Sequence, residues 1–146
     1  MPISIEKVTQ AGDELVEAFA RLIPQLNPAY PPPELSALQA ILSGGATELF
    51  VARDGPSGQI VGALALAVFS TPTGVHAWIE DVVVDSAWRG QGIGAALSRA
   101  AIARAAERGA KAVDLTSRPA RVEANRLYQR LGFELRASNL YRYHLK

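Results

Sequence analysis

The chain changes its hydrophobic period several times along its length, and each change marks an element. Ile3 and Ile5 alternate with Ser4 and Glu6, the two-residue period of a strand with one face buried, and this strand is expected to end near Thr9. Leu15, Phe19, Leu22, Ile23 and Leu26 then recur at helical spacing, with Asp13 placed for an N-cap or an acidic first turn. Pro24 lies inside that pattern and is expected to end or kink the helix. Asn27-Pro28-Ala29-Tyr30-Pro31-Pro32-Pro33 is too proline-rich for the interior of a helix or strand and reads as a stiff surface loop. From Glu34 to Leu42 the helical pattern resumes through Leu35, Leu38, Ile41 and Leu42, and Gly44-Gly45 closes it.

Extended patterns follow. Leu49 to Ala52 lead into the turn signal Arg53-Asp54-Gly55-Pro56-Ser57-Gly58, and Gln59 to Phe69 returns as a second strand, which together predict a hairpin. Val75 to Asp85 is a third strand of that group, with Gly74 at its entry. Ile93 to Arg108 predicts a helix closed by Gly109, Ala112 to Thr116 a short strand, and Ala120 to Leu131 a helix ending at Gly132. Phe133 to Arg136 and Tyr141 to Leu145 read as a final strand pair. The class is mixed α/β, without internal repeats or low-complexity segments.

Composition narrows the picture. A length of 146 residues with 49% hydrophobic content suits a single domain, expected over 1–146. Lysine and arginine number 15 against 14 acidic residues, a net charge of +1 that gives no reason to expect nucleic acid. Cysteine is absent, which removes disulfides, thiolate metal sites and a cysteine nucleophile. His76 and His144 are too few and too scattered for a metal site, so no metal is expected. The N-terminus lacks a basic segment followed by an apolar run, and no stretch approaches the ~20 apolar residues of a membrane span, so the expected setting is cytoplasmic, with no membrane partner.

The chemistry concentrates where the third strand of the group ends. Val82, Val83 and Val84 favour extended backbone, Ser86 to Gln91 break it, and an alanine-rich helix starts after Gly92. A glycine-dense turn feeding a helix suits an anion, because backbone N–H groups can close around it and the first helical turn adds its dipole. Arg89-Gly90-Gln91-Gly92-Ile93-Gly94 is not a Walker loop, since no Lys-Ser/Thr pair follows. Gly90 to Ala95 does spell the dinucleotide pattern G-x-G-x-x-A, with Asp114 downstream as an acidic ribose ligand. Against that reading, Ser86 to Arg89 separate strand from glycine, and too little chain follows for a doubly wound sheet. Ser117, the histidines and the aspartates have no Gly-x-Ser-x-Gly elbow around them, which argues against a hydrolase triad.

Arg89-Gly90-Gln91-Gly92-Ile93-Gly94, following Glu80-Asp81-Val82-Val83-Val84, resembles the Arg/Gln-x-x-Gly-x-Gly/Ala signature of the Gcn5-related N-acetyltransferase (GNAT) family. A second stretch, Glu123-Ala124-Asn125-Arg126-Leu127-Tyr128-Gln129-Arg130-Leu131-Gly132-Phe133, is similar to the family's downstream Ala-x-x-x-Tyr-x-x-x-Gly-Phe segment. The resemblance implies a mixed, mostly antiparallel central sheet flanked by helices and splayed at the cofactor-binding strand. It also implies acetyl-coenzyme A as cosubstrate, its pyrophosphate held by the turn from Arg89 through Gly90, Gln91, Gly92, Ile93 and Gly94 to Ala95. The pantetheine arm is expected along the backbone of Val82, Val83 and Val84, with the Val82 N–H a candidate oxyanion donor.

Transfer to an amine requires a neutral nitrogen, so a base is needed; Glu80 is the first candidate, directly or through water, and Asp81 the alternative. On a regular strand Asp81 faces away from Glu80. Tyr128 is expected to give a proton to the departing thiolate, and Asn125, three residues earlier on the same helical face, to bond the cofactor arm or orient Tyr128. Direct attack by an amine in a ternary complex is the simplest course; the alternative is a non-catalytic acyl-coenzyme A-binding module. The acceptor is an amine of open identity, small molecule or peptide, with Tyr30 a candidate for its pocket. The resemblance admits a homodimer, without an interface signal in the sequence.

Overall fold

The computed structural model describes residues 2–145, in the order β1 (Ile3–Lys7), α1 (Asp13–Leu26), α2 (Leu35–Gly44), β2 (Thr47–Asp54), β3 (Ile60–Thr71), β4 (Gly74–Val84), a 3-10 turn (Ser86–Trp88), α3 (Ile93–Glu107), β5 (Val113–Asp114) and α4 (Val122–Arg130). They group into two compact units, one running up to Thr116 and the other from Ser117 onward. Met1 and Lys146, the ends of the expected 1–146 domain, lie outside the described residues.

The first unit is built on a five-stranded sheet in the order β1-β2-β3-β4-β5. Its first three pairings are antiparallel and the β4–β5 pairing is parallel. Leu15, Phe19 and Leu22 of α1 and Leu38 of α2 pack with Leu49, Val51, Ala63 and Val83 of the strands into one core. Helix α3 packs against β2, β3 and β4 through Ile93, Leu97, Ala101 and Ala105, all buried. The interior strand β2 is covered from both sides, which is why Leu49 to Ala52 form an apolar run rather than an alternation. Gly62 on β3 lets α3 come close: a Cβ there would stand 3.2 Å from Ile93 Cγ2 and 3.3 Å from Leu97 Cδ1.

Local signals set most boundaries. Asp13 is in the acidic first turn of α1, and Gly12 holds the N-cap position. Pro24 does not end α1, which runs on to Leu26; the loss of one backbone donor falls in the last turn, where the ladder is ending anyway. Helix α2 stops at Gly45, which takes the left-handed conformation.

The second unit contains α4, whose C-terminus is followed by Gly132 at φ 104°. The expected strand pair over 133–136 and 141–145 is not formed: these residues are irregular. An apolar–polar alternation makes a strand only where a second surface takes its apolar side, and Leu135, Tyr141, Tyr143 and Leu145 are exposed.

Candidate active site

The site in the first unit begins with a break in β4. Ala63 pairs with Val83 and Ala65 with Glu80, so Leu64 alone on β3 stands opposite Asp81 and Val82. This is a β-bulge, and Asp81 absorbs it at φ 51°, a left-handed conformation that non-glycine residues adopt at a cost. The extra residue changes which side chains share a face. Glu80 and Asp81, on opposite sides of a regular strand, both line one cavity of about 290 Å³.

That cavity is apolar apart from its two carboxylates and the hydroxyl of Thr47. Phe19 and Ile23 of α1 and Leu38 and Ile41 of α2 form one wall, Leu49, Leu64 and Ala65 of the sheet another, and Pro33 of the proline-rich loop closes a side. Apolar surroundings disfavour the charged carboxylate of Glu80 and the neighbouring Asp81 repels it, so its pKa lies above the ordinary carboxylate value. Among the described residues no side chain hydrogen-bonds to Glu80, which leaves its oxygens free to take a proton. Tyr30 is 62% exposed and stands outside the lining.

Beyond the bulge, β4 offers its backbone. β5 pairs with β4 only at Ala77 and Trp78, so from Glu80 to Val84 the edge away from β3 has no strand partner among the described residues. The sheet is therefore open at this strand, as the sequence resemblance implies. Val83 is buried against the helices while Val82 and Val84 are half-buried, so the free groups here are main-chain amides and carbonyls.

Asp85 then turns the chain. Its Oδ1 accepts from Ala87 N at 3.2 Å, its Oδ2 takes Arg21 Nη1 at 2.7 Å, and Arg21 Nη2 also donates to Ile60 O at 3.0 Å. Gln25, one helical turn on, accepts from Ser86 N at 2.8 Å through its Oε1. Two polar residues of α1 thus fix the start of the turn. Sequence reasoning passed over Arg21 and Gln25 because their partners lie 64 and 61 positions away.

Gly90 and Gly92 both have positive φ, 80° and 79°, which brings the chain into α3 with Gly92 as N-cap. No side chain caps this helix, and its first internal bond runs from Ala96 N to Gly92 O at 3.0 Å. The amides of Ile93, Gly94 and Ala95 therefore precede the ladder, at the positive end of a 15-residue helix. Gln91 is exposed beside them. Arg89 braces the turn, its Nε 3.4 Å from Val84 O, with the rest of its guanidinium exposed. Open amides, two positive-φ glycines and a flanking arginine fit a pyrophosphate.

In the second unit, Asn125 Nδ2 lies 2.8 Å from Arg121 O, 2.9 Å from Arg118 O and 3.3 Å from Ser117 Oγ. Its amide nitrogen secures the loop before α4, and its carbonyl oxygen is the group left for another partner. Tyr128 is 7% exposed and packs edge-on against Phe133, ring centres 5.7 Å apart. Burial raises its pKa, with Arg121 pulling weakly the other way, so the phenol stays protonated at neutral pH.

Among the described residues no cluster of His, Asp or Glu is arranged to hold a metal ion, and no helix is long and apolar enough to cross a membrane.

The sequence model of the Acetyltransferase (GNAT) family matches residues 13–133. Comparison with curated protein sequences gives no match. Among solved structures, an aminoglycoside acetyltransferase from an uncultured soil metagenomic sample superposes with a TM-score of 0.84 at 26% identity, over 99% of this chain and 97% of that one. An acetyltransferase of Trypanosoma brucei gives 0.80 at 26% identity, covering 98% and 99%. A transcriptional regulator from Bacillus halodurans C-125 gives 0.78 at 34% identity, covering 97% and 99%.

Proposed function

Because the chain belongs to the GNAT acetyltransferase family, we propose that it moves an acetyl group from acetyl-coenzyme A to a primary amine by direct attack in a ternary complex. The reading treats the chain as one acetyltransferase domain, since the family match runs from 13 to 133. The observation that carries it is the bulge in β4, which turns Glu80 and Asp81 into one cavity immediately before an open strand edge and an anion-binding turn.

Acetyl-coenzyme A supplies a thioester whose carbonyl carbon accepts the amine nitrogen; the C–N bond forms, the C–S bond breaks, and the amide and free thiol result. The chain's residues handle the charges. Glu80 takes the proton that the ammonium must lose before attack, directly or through water; the second proton, shed by the nitrogen once the C–N bond has formed, balances the one given to the thiolate; and Asp81 holds the amine by its charge. The Val82 N–H is the donor for the developing oxyanion, and the backbone from Val82 to Val84 receives the pantetheine amides. Amides of Gly92 to Ala95, with Arg89, take the pyrophosphate. Asn125 Oδ1 accepts from the cofactor arm, and Tyr128 protonates the departing thiolate.

The test is to mix the protein with acetyl-coenzyme A and an amine panel and to follow thiol release, with calorimetry of acetyl-coenzyme A alone in parallel. Absence of acetyl-coenzyme A binding overturns the reading. The 34% identity to a transcriptional regulator favours one second reading, a non-catalytic acyl-coenzyme A-binding module. Tight binding without turnover across the panel would select it.

A further inference from the structure

The cavity that takes Glu80 and Asp81 has a composition that selects among amines. At about 290 Å³ it lies at the small end of ligand sites, which run from about 300 to 1,000 Å³. Phe19, Ile23, Leu38, Ile41 and Leu49 contribute only hydrocarbon, and Thr47 brings the one side-chain hydroxyl of the lining. Glu80 and Asp81 are its only charged groups, and both are negative and adjacent.

Resting on the acetyltransferase reading above, we propose that the acceptor is a small primary amine carrying a compact apolar body, alkyl or aryl, with a single cationic nitrogen. The body lies against Phe19, Ile23 and Ile41, and the nitrogen sits beside Glu80 and Asp81. Area removed from water on the apolar walls supplies affinity, and the carboxylate pair fixes the reacting end. A polyhydroxylated or polycationic amine is disfavoured for the converse reason. Its hydroxyls and additional ammonium groups would lose water against hydrocarbon walls whose one side-chain hydroxyl is Thr47, a cost that is larger still for an unpaired charge. The substrate class thus differs from that named for the aminoglycoside acetyltransferase to which the chain is structurally similar.

The experiment measures kcat/KM for 2-phenylethylamine, n-hexylamine, spermidine and an aminoglycoside under saturating acetyl-coenzyme A. Expected is a preference of at least about 100-fold for the two apolar monoamines. The partly buried Ile41 offers a variant that spares the core: Ile41→Ser should raise KM for 2-phenylethylamine about 10-fold while acetyl-coenzyme A affinity stays unchanged. Turnover that favours spermidine or the aminoglycoside overturns the substrate class and leaves the acetyltransferase reading standing. If acetyl-coenzyme A binds but no amine reacts, calorimetry with 2-phenylethylamine decides: binding weakened by Ile41→Ser supports the apolar amine site while the transfer reading falls, and no binding overturns both.

Discussion

Arg21, on α1, holds Asp85 at the end of β4 through a 2.7 Å contact between Nη1 and Oδ2. Asp85 is buried and Arg21 is part-exposed, so the pair anchors α1 to the first residue of the turn between β4 and α3. Removing the carboxylate frees Ala87 N and leaves the Arg21 guanidinium with Ile60 O as its remaining partner. Asp85→Ala is expected to lower stability by about 1–3 kcal/mol and to weaken acetyl-coenzyme A binding, because the turn loses its brace. Chemical denaturation and calorimetry read the two effects. A double-mutant cycle with Arg21→Ala should show coupling above about 0.5 kcal/mol; additive losses would mean that the pair acts through separate contacts.

Glu80 sets the acidic limit of activity in the proposed mechanism. Its pKa is raised, first by partial desolvation of the carboxylate against the apolar wall and then by Asp81, so it stays protonated and unable to accept a proton to a higher pH than an ordinary glutamate. The acidic limb of the kcat/KM profile should therefore fall above the usual value of 4.5. Asp81→Asn removes the repelling charge and should move that limb to lower pH. Glu80→Gln should abolish the limb and cost about 100-fold or more in rate. A limb unmoved by Asp81→Asn would assign it to another group.

Tyr128 has its proton available. Burial raises the phenol's pKa, so at neutral pH it can donate to a thiolate and cannot compete as an anion. Tyr128→Phe keeps the ring and its edge contact with Phe133 and removes only the hydroxyl. Single-turnover rates should fall about 100-fold, with acetyl-coenzyme A affinity nearly intact. A later rate-limiting step would mask this in kcat, so rapid-quench measurement is the deciding one.

What the sequence disclosed follows from how far apart the partners lie. The turn at Gly90 and Gly92 and the start of α3 are local: glycine takes positive φ, and the alanine-rich run begins at once. Glu80 and Asp81 were visible as carboxylates, but a regular strand puts them on opposite faces. Their shared cavity depends on Leu64 of β3 standing opposite two residues of β4, a fact of register that no local pattern holds. Arg21 and Asp85 show the same limit, because an arginine on a mostly apolar helix face has no signal naming its partner. Residues 133–145 fail in the other direction, since their alternation describes a strand only if some surface covers it.

Glu48 gives the fold a dependence on acid that is separate from catalysis. Buried on β2, it receives Arg104 Nε of α3 at 2.7 Å and a hydrogen bond from Arg108, the C-cap of α3, with Lys7 of β1 at 4.0 Å. Burial acts to raise its pKa, but the hydrogen bonds from Arg104 and Arg108 and the charges of Arg104 and Lys7 outweigh it and hold the carboxyl below its ordinary 4.5. A depressed folded pKa means that the unfolded chain binds the proton more readily, so the stabilisation is complete above the ordinary value and is lost as pH falls through the folded one. Glu48→Gln should therefore lower Tm at neutral pH, by the equivalent of about 1–2 kcal/mol, and flatten the fall in Tm below pH 4.5. Glu14, held low first by its hydrogen bond from Arg53, is the control. Its side chain is exposed, water screens the pair, and Glu14→Gln should change Tm far less. Equal effects of the two substitutions would show that burial beneath α3 contributes nothing to the ion pair at Glu48.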